Sequence, residues 1–358
     1  MSALYSCTTP LSQSNNFQGF RLKTEKVPEE LLYPSSPFRS KQRRYTTSQK
    51  HIIRSRHLNF NQILSFDSEF SDLKVIGEGS FSTVFKAKHI KDNTFYAVKK
   101  LKRPCTGVKD REIYMNEIKK LAIVCSGKTG AEQYIVKYYD AWEEENQFYI
   151  RTELCEKTLK SLLSDSFTLD TEDLWHVLLQ VARGLELIHS YGYVHLDIKP
   201  SNLFLNGNFV KIGDFGHMLE VNSEVVNEGD IIYAAPEVIE GQACFASDVF
   251  SLGLVLFEAA TGVVMPECGD QWVALRRGEI PKMNGIGKEL QGIIKKMLEP
   301  NPCSRICIQE ILAVKSPSRN CISGEMLSEI TPVFEVQTIS EPNSIKLAKN
   351  LGDLFNSM

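Results

Sequence analysis

Near residue 158 the chain changes character, and that change limits the folds open to it. Before it, Leu73–Ile76, Thr83–Lys88, Phe95–Lys99, Ile135–Tyr139 and Gln147–Leu154 alternate or cluster β-branched and aromatic residues between turn signals, the pattern of short antiparallel strands. One helical pattern, Lys109–Val124 with Ile113, Ile118 and Leu121 in step, interrupts them. After it, Leu159–Leu163, Thr171–His189, Ser247–Thr261 and Gly287–Leu298 read as helices. A strand-rich lobe followed by a helix-rich lobe is an α+β architecture, and ligand sites favour the junction of two such bodies.

The flanks differ from this centre. Residues 1–66 are rich in Ser, Thr, Asn, Gln and Pro and carry ten Lys/Arg against three Asp/Glu, or +7. The whole chain carries 41 − 44 = −3, so the remainder carries −10. We read 1–66 as a disordered basic region, 67–315 as the folded domain and 316–358 as a polar tail with a short helical pattern at Ser344–Leu354. Thr9-Pro10 and Ser36-Pro37 suit proline-directed modification, and Lys41-Gln42-Arg43-Arg44 suits nuclear import, with the cytoplasm as the other compartment. A net charge near zero gives no reason to expect nucleic acid as a partner. Nine cysteines without a CxxC pair fit a reducing compartment, and Cys303 and Cys307 lack the further ligands a structural zinc wants. The most apolar run, Val249–Met265, contains Ser251, Glu258 and Thr261; it reads as a buried core helix, so no membrane span is expected.

Chemistry is concentrated in a few ordered stretches. Gly77-Glu78-Gly79-Ser80-Phe81-Ser82-Thr83-Val84 places two glycines between strands, where backbone N–H groups can approach phosphates. Lys99 ends the apolar strand Tyr96-Ala97-Val98, a costly place for an ammonium without an acidic partner. Glu117 and Glu112 on the following helix are the candidates; Glu117 is preferred because Leu121, one turn on, faces the core. In Val194-His195-Leu196-Asp197-Ile198-Lys199-Pro200-Ser201-Asn202, Asp197 can accept a hydroxyl proton, Lys199 can neutralise a phosphoryl group and Asn202 can hold Mg²⁺. Asp214-Phe215-Gly216 follows the strand Val210–Ile212 and offers a second Mg²⁺ ligand, and Ala235-Pro236-Glu237 closes the segment.

Taken in order, these motifs resemble the eukaryotic protein kinases over about residues 70–315. The resemblance implies a bilobal fold, with an N-lobe over 67–155 and a C-lobe over 156–315, and ATP with Mg²⁺ as cofactors. Lys99, Glu117, Asp197 and Lys199 would be catalytic, and Asn202 and Asp214 would hold metal. Ile76, Gly77, Glu78, Gly79, Ser80, Phe81, Val84, Ala97, Lys99, the gatekeeper Thr152, the hinge residues Glu153 and Cys155, and Phe204 beneath the adenine would bind ATP. Asp248 would anchor the catalytic loop, and Glu237 would pair with Arg305.

Departures from the common pattern narrow the group. Position 196 is Leu where most regulated kinases carry an Arg that binds an activation-loop phosphate, and Ser82 replaces the third glycine. The segment 214–237 offers Ser223 and Tyr233 but no Thr, while Glu228-Gly229-Asp230 supplies fixed carboxylates. These features predict a loop ordered without phosphorylation. Tyr193–Asn202, Lys211–His217, Glu228–Asp230, Gly269-Asp-Gln-Trp272, Glu69-Phe70 and Tyr138–Trp142 resemble the Wee family of inhibitory kinases. That resemblance implies a monomer acting on a cyclin-dependent kinase–cyclin complex, modifying the glycine-loop Tyr (in one branch also Thr) and delaying mitosis. Lys199-Pro200 is the serine/threonine-kinase pattern, and the family is followed over the motif. Phe215 leans toward the membrane-associated branch, and Gly269–Trp272 with the soluble tail toward the nuclear one. The competing readings are a stress kinase acting on translation initiation factor 2, and a docking module without transferase activity.

Overall fold

The glycine-rich hairpin opens a five-stranded sheet. The computed structural model describes residues 65–79, 82–104, 107–127, 129–163, 168–221, 223, 225 and 230–314. Strands β1 (Phe70–Glu78), β2 (Ser82–His89), β3 (Phe95–Leu101), β4 (Tyr138–Glu144) and β5 (Gln147–Glu153) pair antiparallel in the order β1-β2-β3-β5-β4. Two-residue periodicity sorts their side chains: Tyr149 joins an outer aromatic cluster, and its neighbour Ile150 joins the main core. In the outer cluster Trp142 stacks on Tyr149 with centroids 5.1 Å apart. Helix α1 (Phe66–Glu69) adds Phe66, whose backbone N–H donates to the Glu144 carboxylate at 2.8 Å. On the other face lies α2 (Val108–Cys125), with Ile118, Leu121 and Ala122 in the core.

One expected strand is displaced. Ile135–Tyr139 does not form a single strand: a 3₁₀ turn covers Ala131–Tyr134, and β4 begins only at Tyr138. Ile135 is fully buried, and the Val136 N–H donates to Ile212 O at 2.8 Å. The apolar run is consumed by contact with the second lobe, which competes with sheet extension.

The second lobe is built on α4 (Thr171–Ser190) and α6 (Phe245–Thr261). Asp170 caps α4 by accepting from the N–H groups of Glu172 and Asp173 at 2.8 and 2.9 Å. Helix α6 is buried over nearly its whole length, as its apolar run requires, and no helix among the described residues is long and apolar enough to cross a membrane. Short strands β6 (Lys157–Thr158), β8 (Leu203–Asn206) and β9 (Phe209–Ile212) form one small sheet, and β7 (Tyr193–Val194) pairs with β10 (Leu219–Glu220). The short helix α3 (Leu159–Leu163) precedes α4, and α5 (Pro236–Ile239), α7 (Asp270–Arg276), α8 (Lys288–Met297) and α9 (Ile308–Ala313) complete the lobe. Helices α1, α7 and α9 have too few turns to give a periodic signal in the sequence.

The terminal regions, with Thr9-Pro10, Ser36-Pro37, Lys41–Arg44 and Ser344–Leu354, lie outside the described residues, as do Ser80, Phe81, Glu228 and Gly229. Cys303 is exposed, Cys307 is half-buried and both are free, and no group of three or more potential metal ligands of the His, Cys, Asp or Glu type exists among the described residues.

Candidate active site

The loop after β7 is held by a buried anion. Asp248, on the first turn of α6, accepts the N–H of His195 at 2.9 Å and the N–H of Leu196 at 2.9 Å, and pairs with the His189 ring at 2.8 Å. Leu196 adopts φ 63°, left-handed backbone that costs a branched side chain about 1–2 kcal/mol, and its side chain is buried. The His195 ring settles its own tautomer: Nδ1 accepts from the Asp197 N–H at 3.3 Å, so Nε2–H donates to Gly213 O at 3.2 Å. Burial pushes its pKa down, which keeps the ring neutral.

This scaffold delivers Asp197 into a cage. Oδ2 accepts from Asn202 Nδ2 at 2.7 Å and lies 3.5 Å from His217 Nδ1. Oδ1 lies 3.0 Å from Lys199 Nζ and accepts from the backbone N–H of Asp230 at 3.2 Å. Burial alone would raise the Asp197 pKa, but His217 and Lys199 overcome it and hold the carboxyl well below the usual range. Lys199 bridges onward to Asp230 at 3.5 Å.

Across the cleft, Lys99 Nζ lies 2.9 Å from Asp214 Oδ1 and 3.9 Å from Glu117 Oε1. Glu117 faces the site, whereas Glu112 is exposed. The expected Lys99–Glu117 pair is therefore the looser of two contacts. The titration directions agree: burial would raise the Asp214 pKa, yet Lys99 holds it down, while burial leaves that of Glu117 raised despite Lys99. Burial also opposes the charge on Lys99, and Asp214 with Glu117 restores it, so the amine stays protonated.

The cleft walls come from both lobes. Gly77 pairs with Val84 across the hairpin, Val84 with Lys99, and Ala97 with Thr152. Ile76 on β1 is exposed, and Glu78 is drawn to Lys102 at 2.8 Å. The Glu153 carboxylate binds Lys211 at 2.8 Å, the Lys137 N–H at 2.6 Å and Asn206 at 3.1 Å, which ties the hinge to β8 and β9. The Cys155 thiol is pushed by burial up to about 12 and is inert at neutral pH. The Phe204 ring lies against Gly213, where an added Cβ would come within 2.7 Å of it. Outside the cleft, Glu237 and Arg305 form a bidentate buried pair at 2.7 and 3.0 Å.

The donor set suits a magnesium nucleotide. Asn202 spends its amide nitrogen on Asp197, which leaves its carbonyl oxygen as a ligand; Asp214 spends one carboxylate oxygen on Lys99 and keeps the other. Hard oxygens beside a lysine ammonium match Mg²⁺ and phosphate. Three participants were given no role in the site from the sequence, although His217 and Trp272 end stretches that carry the Wee resemblance. His217 differs from an ordinary loop residue only by its contact with Asp197. Trp272 and Arg276 are spaced i, i+4 on α7, which brings the guanidinium over the indole ring. Arg276 is buried and donates to Ile231 O and Ile232 O.

Fold and site together define an ATP-dependent protein kinase. A model of the protein kinase domain matches residues 70–315. A probable protein kinase of Dictyostelium discoideum is 36% identical over 69% of this chain and 72% of its own. The Drosophila melanogaster membrane-associated tyrosine- and threonine-specific cdc2-inhibitory kinase is 31% identical over 87% of this chain and 55% of its own length. The Wee1-like protein kinase 1-B of Xenopus laevis is 34% identical over 67% and 44%. The chain thus spans about half the length of those two relatives, and it belongs to the protein kinase family, in its Wee-like group.

Proposed function

We propose that this kinase transfers the γ-phosphate of ATP to the glycine-loop tyrosine of a mitotic cyclin-dependent kinase bound to its cyclin, and so delays mitosis. The observation that carries the reading is similarity across the kinase domain to relatives described as cdc2-inhibitory. It is supported by Leu196, which leaves the catalytic loop without the cation that reads an activation-loop phosphate.

In this mechanism Lys99 would hold the phosphates of ATP, and Asn202 and Asp214 would hold Mg²⁺, which when bound would supply positive charge to offset that of the phosphates. Asp197 orients the acceptor hydroxyl and takes its proton at a carboxylate oxygen. Oδ1 takes both Lys199 and the Asp230 N–H, whereas the near donor to Oδ2 is Asn202 at 2.7 Å and His217 stands off at 3.5 Å, which leaves Oδ2 a lone pair for the incoming hydroxyl. Lys199 screens the phosphoryl charge as the proton leaves. The enzyme acts as a monomer, and its basic head directs it to the nucleus; alanine at Lys41, Arg43 and Arg44 should then shift a fluorescent fusion to the cytoplasm.

Mass spectrometry of a cyclin-dependent kinase–cyclin complex incubated with the protein and ATP tests the acceptor. Phosphate on the glycine-loop Tyr, alone or with the adjacent Thr, is expected. A complex left unmodified while translation initiation factor 2 is phosphorylated would replace this reading with the stress-kinase one.

A further inference from the structure

The segment that must present the acceptor is held at four consecutive residues by side chains from elsewhere in the chain. Asp230 is held through Lys199 and through its N–H on Asp197. Ile231 O accepts from Arg276 Nη2 at 2.9 Å and from Trp272 Nε1 at 3.3 Å. Ile232 O accepts from the same Arg276 nitrogen at 2.8 Å. Tyr233 O accepts from Ser251 at 2.8 Å, and its hydroxyl donates to Glu258 at 2.6 Å.

Arg276 is the centre of this arrangement. Its guanidinium lies 3.7 Å from the Trp272 ring centroid, a cation–π contact that fixes the plane of the fork, and Nη1 donates back to Trp272 O at 3.1 Å. Burial pushes its pKa down to about 9, which still leaves it charged at neutral pH. A buried cation that spends its donors on main-chain carbonyls orders backbone rather than balancing a carboxylate. Leu196, meanwhile, is packed into the core and offers no charge to this segment.

We infer that Arg276, clamped by Trp272, is a positioning residue that sets residues 230–233 for the protein acceptor without phosphorylation. The inference deepens the proposed function and rests on that site being the acceptor site. The role needs both a fork and a ring: Lys at 276 keeps the charge but gives up the second nitrogen's bond to Trp272 O and the flat contact with the ring, and Phe at 272 keeps an aromatic face but loses the donor to Ile231.

Hydrogen–deuterium exchange on the full chain tests the clamp without any acceptor. R276K and W272F should speed exchange in the peptide covering 230–234 and leave 193–203 unchanged. Steady-state assays on a cyclin-dependent kinase–cyclin complex should then show kcat/KM for the complex down about tenfold or more in R276K, and less in W272F. The KM for ATP and the thermal shift caused by Mg·ATP should stay at wild-type values. R276A should extend the series, and the two milder variants carry the test if it fails to fold. Unchanged exchange at 230–234 in both milder variants would overturn the clamp, as would loss of nucleotide binding in proportion to loss of kcat/KM. If the wild-type protein leaves the complex unmodified, the acceptor reading fails, and the exchange result still decides the clamp.

Discussion

Two loops meet at Asp197, and they are anchored by opposite charges. The catalytic loop hangs from Asp248, an anion that accepts backbone N–H groups with both oxygens and also engages His189. The acceptor-facing segment hangs from Arg276, a cation that donates to backbone carbonyls and keeps a buried Nε without a partner among the described residues. The difference lies in what each loses if the anchor goes. An N–H has one proton to place, so losing its acceptor costs the full desolvation penalty; a carbonyl has two lone pairs and tolerates partial loss. On that count the loop that carries the chemistry is fixed more firmly than the segment that hangs from Arg276.

The largest effect should come from breaking the anion side. D248A strands two buried N–H groups at about 1–3 kcal/mol each, so thermal denaturation should show a much lower Tm, and little activity should remain. A D248A protein no less stable than R276A would remove the asymmetry. K99M touches neither anchor: circular dichroism and Tm should stay close to wild type while single-turnover rates fall about 10²- to 10³-fold. Retained turnover would show that another group positions the phosphates. G213A is the mildest and acts on the catalytic side alone. Its methyl would meet Phe204 at 2.7 Å and Val136 at 2.9 Å, costing about 1–3 kcal/mol of stability by overpacking. The Phe204 ring must shift, so the KM for ATP should rise while exchange at 230–234 stays unchanged.

Much of this was legible beforehand because the reaction demands particular groups in a particular order. Lys99, Asp197, Lys199, Asn202 and Asp214 could be read as a set, and the choice of Glu117 over Glu112 followed from which helix face is buried. What could not be read is the ranking of contacts. That Lys99 lies nearer Asp214 than Glu117 depends on lobe placement, which no local pattern encodes. Ile135–Tyr139 carried a strand pattern, yet its first residues serve the contact with Ile212 instead. Arg276 was hidden for a related reason: α7 spans only Asp270–Arg276, and a charge at its end reads as a solvated terminus until the fold buries it.

The central claim is that an intact kinase site works here with an acceptor segment held by its own side chains. Single-turnover phosphate transfer to the cyclin-dependent kinase–cyclin complex, measured on phosphatase-treated protein with D197A as control, tests it most directly. The account predicts wild-type rates after phosphatase treatment, and a loss of about 10²- to 10⁴-fold in D197A. A large drop on dephosphorylation, or equal rates in D197A and wild type, would contradict it.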